Sequence, residues 1–340
     1  MTLIEQPAAD ETRTPEIAKK GRRPWRPGLL TWLVALLVLV ALGMVLYPKA
    51  SSWQSQYIQS KLLNSYTVEV GDAEPSADVQ LKQAYDYNSA LSAGAVLEAN
   101  SNKPTGDGTE AGVFDYTKIL AVDKSGLMAR VKIPGIGVDL PIYHGTSDET
   151  LLRGAGHLEG SSLPVGGEST HSVITAHRGL ATSTMFTNLD KVKVGDRFTI
   201  EVFGEVLTYE VRESIVVAPD DTATLATVEG KDLVTLVTCT PLGINSHRIL
   251  VTGERVTPTP IKDIQDAGKT PTIPGFPWWA VILGAGVSAV GVFVWRAGYS
   301  DARVRAAKAA RAGEAAGAGA GAEARAAVQA AAAEAEAENI

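Results

Sequence analysis

The stretch Met128–Gly145, "MARVKIPGIGVDLPIYHG", decides the fold. Its apolar side chains fall at Val131 and Ile133, then at Val138, Leu140 and Ile142. A period of two puts alternate side chains on one face of an extended strand. The same pattern returns in "HSVITAH", "FTIEVFGEVLTYEVRESIVVAP", "LVTLVTC" and "HRILVTGERV", with turn residues between the runs. Short strands at this spacing predict a mainly β fold, an all-β barrel or sandwich rather than alternating βαβ units. Phe203-Gly204-Glu205 reads as a hairpin tip, and "KVKVGD" as the turn entering the strand at Phe198.

Outward from this β region the composition changes. Gly28–Tyr47 and Trp278–Trp295 are uncharged, apolar runs long enough, or nearly so, to cross a bilayer as helices. Tryptophans at both ends of the second run suit the headgroup level. "KKGRRPWR" precedes the first run and "RAGYSDARVRAAKAAR" follows the second, so the basic clusters lie outside the pair. The positive-inside rule then predicts two spans at the cell membrane, both termini cytoplasmic and residues 48–277 extracellular. A cleavable signal peptide competes for the first run and a buried core helix for the second. The formal charge of −7 gives no footprint for nucleic acid.

The expected organisation follows. Residues 1–27 form a basic cytoplasmic tail, 28–47 a transmembrane helix, and 48–126 juxtamembrane helices with a loop at Asn100–Gly112. Residues 127–256 form the β domain, 257–277 a Pro/Thr-containing linker, 278–295 a second transmembrane helix, and 296–340 an Ala/Glu-rich cytoplasmic tail. Apolar spacing at Ala84, Leu91 and Val96 supports a helix before the loop.

The chain holds one cysteine, Cys239, in "TLVTCTPLGINSHR". Outside the cytoplasm structural cysteines usually pair. A lone thiol there is a site of intermolecular pairing, a reactive group, or a small buried hydrophobe. A reactive thiol needs a base or cation beside it. His177, in "ITAHRGL", ends one β run as Cys239 ends another, and Arg248 opens the strand after the turn at Pro241–Ser246. In that division Cys239 attacks a peptide carbonyl, His177 moves protons and Arg248 holds the developing oxyanion or the substrate backbone. His144 and His157 read as structural, and His171 with His177 lacks a third metal ligand at supporting spacing. No metal or other cofactor is expected.

"TLVTC" followed nine residues on by arginine, with an upstream "AHRG", resembles the sortases, cysteine transpeptidases of Gram-positive cell surfaces. "IPGIGVDLPIYHGTSDETLLRGAGHLEGSSLPVGGESTHSVITAHRG", "MFTNLDKVKVGDRF" and "LVTLVTCTPLGINSHRILVTGER" are similar to class C, the pilin-polymerising sortases, as is the second apolar run. The resemblance implies an eight-stranded sortase β-barrel. It also implies cleavage of an LPxTG-like sorting signal between Thr and Gly, through a thioacyl intermediate on Cys239. The implied partners are pilin precursors bearing that signal and an acceptor lysine of a pilin subunit. By position it makes Cys239 the nucleophile, His177 the general acid/base, Arg248 the substrate or oxyanion partner, and Thr238 a residue lining the substrate site. A sortase attaching proteins to peptidoglycan, or a catalytically silent scaffold that binds sorting signals, are the rival readings. Many class C members carry a lid with an Asp-Pro-aromatic motif. No Asp-Pro occurs between Ser51 and Leu127, so no lid residue is assigned.

Overall fold

The computed structural model describes residues 25–94, 114–123 and 125–337. The expected N-terminal tail lies almost wholly outside these residues, as do the Asn100–Gly112 loop and Val96. The chain divides into two compact bodies, residues 44–282 and residues up to 43 with those from 283 onward.

The first body holds eight strands: β1 Leu127–Ile133, β2 Val138–His144, β3 Ala155–His157, β4 Thr170–Thr175, β5 Arg197–Val202, β6 Glu205–Val217, β7 Asp232–Thr240 and β8 His247–Arg255. They close into a barrel in the order β1-β2-β3-β4-β7-β8-β6-β5. Closure leaves no strand edge unpaired. β5 and β6 meet at the predicted tip, where Phe203 and Gly204 both take positive φ (44° and 89°), the twist a two-residue hairpin needs. Strand β3 has no period-two signal because it is only three residues long and contains glycine. Gly156 is required there: a Cβ would strike the carbonyl of Gly145, just past the end of β2. β3 runs parallel to β2, reached through helix α3 (Asp148–Arg153), which Ser147 caps by accepting the Thr150 N–H at 3.2 Å.

Inside the barrel, Phe198 stacks on Tyr209 with centroids 5.5 Å apart, among fully buried Val131, Ile200, Leu236 and Val251. Each such side chain contributes about 1.5–3 kcal/mol by leaving water. Helix α1 spans Leu29–Gly71 and continues through Pro48, past the end of the apolar run at Tyr47. Proline there removes one helical N–H. The turns beyond are held by packing: Leu63 is buried, and Tyr66 donates to the Met128 carbonyl (2.9 Å) while accepting from the Phe203 N–H (3.0 Å). Helix α2 (Ala77–Gly94) buries Ala84 and Tyr87. Its Asn88 pairs both ways with the Leu163 backbone.

The stretch read as a linker is strapped to the barrel. It forms helix α4 (Ile261–Gln265), and Thr208 donates to Asp263 at 2.7 Å. Farther on, Lys269 offers its carbonyl to the buried Arg130 guanidinium. Arg130 also grips Asp139 with two contacts of 2.6 Å and reaches Glu201, which Lys132 meets at 2.8 Å.

In the second body α1 begins beside helix α5 (Trp278–Ala337). Asp301 accepts from the Gly28 N–H (2.7 Å) and the Thr31 hydroxyl (2.9 Å), and the Trp25 indole donates to the Trp295 carbonyl. Both α1 and α5 contain windows long and apolar enough to cross a membrane. The Ala-rich stretch 309–330 continues α5 as an exposed helix, as its propensity favours.

Candidate active site

Strands β4, β7 and β8 are neighbours in the barrel, and all three end at one cleft. β7 is rich in β-branched residues, and its centre is buried on both faces. At its end Cys239 stands directly opposite Arg248 in the antiparallel β7–β8 register. Opposed residues carry Cβ atoms about 4.5–5.5 Å apart, so the turn at Pro241–Ser246 does return the chain. Asn245 (φ 58°) and Gly243 (φ 80°) make that reversal.

β4 lies parallel to β7, with Thr170 opposite Asp232 and Thr175 opposite Val237. Past the ladder the Ala176 N–H still bonds to the Val237 carbonyl at 3.1 Å, and the same offset carried two residues on matches His177 to Cys239. Two side chains hold that offset after the backbone bonds end. The Thr238 hydroxyl donates to the Ala176 carbonyl at 2.7 Å, and Arg178 Nη1 donates to the Thr240 hydroxyl at 2.9 Å. Arg178 is braced by Asp190 (3.0 Å) and the Thr187 carbonyl (3.2 Å). The residues flanking His177 are thus tied to the residues flanking Cys239.

The cleft encloses about 400 Å³. Each strand line supplies an alternating pair to its floor: Thr175 and His177, Val237 and Cys239, Arg248 and Leu250. Three of the four residues singled out from the sequence therefore meet there. Thr238 does not line the cleft. Alternation along β7 turns it inward from Cys239, where it is fully buried against Ala176. Arg178, Thr240 and Asp190 escaped the sequence reading, since Arg178 and Thr240 meet only across the 62-residue offset and Asp190 joins them from the turn after the loop. The "HR" pair in "AHRG" was the one visible signal.

The Arg248 guanidinium donates to the carbonyls of Asn245 (2.9 Å) and His247 (3.1 Å). No carboxylate pairs with it among the described residues. Of the other histidines, His157 is fully buried between the Tyr116 hydroxyl (2.8 Å) and the Ser162 carbonyl (2.9 Å), and burial pushes it down to about 4. His144 contacts the Gly126 and Ile119 carbonyls, and burial lowers it too. His171 has both ring nitrogens engaged, by the Ala226 carbonyl and the Thr235 hydroxyl. Among the described residues no group of three or more His, Cys, Asp or Glu is placed to hold a metal ion.

A closed eight-stranded barrel that gathers a thiol, an imidazole and a guanidinium at one set of strand ends has the parts of a cysteine acyl-transfer enzyme. The sortase domain family model matches residues 131–256. Among curated proteins, Sortase D of Bacillus subtilis (strain 168) is 31% identical over 130 residues, covering 37% of this chain and 63% of that protein, under two thirds of its length. Among solved structures, sortase C1 from Streptococcus agalactiae is 42% identical and covers 58% of this chain and 100% of that one, at a TM-score of 0.53. Streptococcus pneumoniae Sortase C, whose structure was presented for its catalysis and pilin substrate specificity, is 37% identical over 59% of this chain and 100% of that one, at a TM-score of 0.52. The chain belongs to the sortase family of cysteine transpeptidases.

Proposed function

We propose that this sortase is a membrane-anchored pilin polymerase. The observation that carries the chemistry is the convergence of His177, Cys239 and Arg248 on one cleft. The similarity to two sortase C structures and the second apolar helix support the pilin-directed class.

In the first half-reaction the Cys239 thiolate attacks the threonine carbonyl carbon of an LPxTG-like sorting signal. The carbonyl oxygen becomes an oxyanion, which the Arg248 guanidinium stabilises. The C–N bond to glycine breaks as His177 gives its proton to the departing amine. A thioester on Cys239 remains. In the second half-reaction the amine of a pilin lysine attacks that thioester and yields a proton to His177. The thiolate leaves, and an isopeptide bond joins the two subunits. The Thr238–Ala176 and Arg178–Thr240 contacts keep thiol and imidazole in register, which proton transfer over hydrogen-bond distance requires. The basic clusters outside the two spans support cytoplasmic termini and a cleft facing outward.

Incubating the full-length chain with an LPxTG peptide and hydroxylamine tests the acyl transfer. The expected product is a threonine hydroxamate, with an adduct on Cys239, and Cys239→Ala loses both. If neither forms with the unaltered chain, it is a scaffold and no enzyme. Offering a pilin domain and a peptidoglycan-precursor amine together tests the class: the pilin lysine should take the acyl group, and preference for the precursor would assign the chain to wall anchoring. Protease protection of a C-terminal tag in intact cells tests the topology, since digestion from outside contradicts a cytoplasmic C-terminus.

A further inference from the structure

Away from the cleft, residues of α1 after its apolar run, of the loop that follows His177, and of the chain entering α5 line a groove of about 470 Å³. All of them belong to the body 44–282. Its apolar walls include Trp53, Leu180, Phe276 and Trp278. Trp53 stacks on Tyr57 at 5.4 Å and meets Trp279 edge-on at 6.2 Å. Phe276 and Trp278 are exposed, unlike the aromatics inside the barrel. The wall on the barrel side is fixed to α1: Thr184 pairs with the Ser52 hydroxyl at 2.8 Å and accepts from Gln56 at 3.0 Å.

Two donors in this groove have no partner among the described residues. Trp279 Nε1 is buried without an acceptor, although buried polar groups are normally hydrogen-bonded. The exposed Lys49 has no ion pair. The place of the groove in the chain is equally telling. Pro48 and Lys49 directly follow the first apolar run, and Trp278 and Trp279 open the second. Tryptophan at this position sits at headgroup level, apolar ring inward and N–H toward polar lipid atoms. A basic side chain at that level attracts acidic lipid.

We infer that the groove binds one acidic glycerophospholipid of the surrounding bilayer, with its phosphate at Lys49 and a lipid oxygen accepting from Trp279 Nε1. A hydrophobic peptide segment would fill the apolar walls but bring no anion for Lys49. The inference rests on the membrane-anchored reading above.

The test uses the full-length chain, reconstituted in nanodiscs of equal phosphatidylglycerol and phosphatidylcholine, extracted into mild detergent and weighed by native mass spectrometry. At least one phosphatidylglycerol per chain should be retained, in fivefold or greater excess over phosphatidylcholine. Lys49→Glu changes an exposed charge without touching the packing, and should abolish the excess. Trp279→Phe should lower retention at least threefold. Equal retention of both lipids overturns the inference, as does either variant behaving like the parent. Stoichiometric displacement of the lipid by the hydrophobic tail of a sorting signal overturns it too, and assigns the groove to peptide. Release of the chain from membranes by alkaline carbonate sinks the anchored reading and this one with it. A chain that resists carbonate yet retains no phosphatidylglycerol sinks this one alone.

Discussion

Arg130 on β1 and Arg248 on β8 are carried by the same barrel and spend their charge differently. Arg130 is 1% exposed and surrounded by Asp139, Glu201 and the Lys269 carbonyl. Arg248 lies at the cleft beside Cys239 and bonds only to carbonyls of its own turn. A guanidinium already neutralised by carboxylates has no field left to offer a substrate. One without a carboxylate keeps its full charge for an oxyanion. Arg178 lies between these cases, paired to Asp190 but spending two further donors on alignment. In this barrel the partner set of an arginine, and not its burial alone, separates structural from chemical use.

Removing each arginine tests that contrast. Arg130→Ala leaves the largely buried Asp139 without its counter-charge and Glu201 with Lys132 alone, and is expected to cost about 3–5 kcal/mol of stability. Denaturant unfolding of the full-length chain in detergent measures it, and a loss below about 1 kcal/mol breaks the structural half. Arg248→Ala should lower the turnover of an LPxTG peptide about 10²–10³-fold while shifting stability by under about 0.5 kcal/mol. A variant that keeps its turnover removes Arg248 from the chemistry.

The buried histidines test the interior of the barrel in another way. His157 is held down to about 4 by burial, whereas an unfolded imidazole titrates near 6.5. Below about pH 6.5 the unfolded chain takes up a proton that the folded chain refuses, so stability falls as pH drops from 6.5 toward 4. The loss from this one group is on the order of 3 kcal/mol by pH 4. His144 and His171, also lowered by burial, add in the same direction. Unfolding at pH 7 and pH 5 should show the decline, and His157→Gln should flatten it. An unchanged slope in that variant would place the titration elsewhere.

The smallest effect expected concerns alignment. Arg178→Lys keeps a cation beside Asp190 but loses the planar fork, and Thr240→Val removes its acceptor. Each should lower kcat about tenfold, roughly 1.4 kcal/mol, with KM and stability little changed. The double variant should lose no more than either single one if both break the same contact. Additive losses would show two separate roles.

Much of this was readable in the chain itself. Seven of the eight strands announce themselves through runs of alternating or β-branched apolar residues, and the Phe203–Gly204 tip through its turn chemistry. The two long apolar runs are equally plain, since crossing a bilayer takes an uninterrupted apolar length. Cys239 and Arg248 come from one hairpin, so turn composition alone suggested that they meet. Strand β3 was hidden because three residues with a glycine carry no period. The continuous helix through Pro48 was hidden because packing by Leu63 and Tyr66 outweighs one missing hydrogen bond.

What only the tertiary structure decided depends on pairing between distant strands. The parallel β4–β7 register set His177 beside Cys239 and turned Thr238 inward, where the sequence suggested a place in the cleft. The same register brought Arg178 to Thr240, and the turn at Asp190 completes the brace. Alternation along a strand tells which residues share a face, but not which strand lies alongside or at what offset. Those are settled by closure of the barrel and the packing of its interior, which involve the whole chain at once.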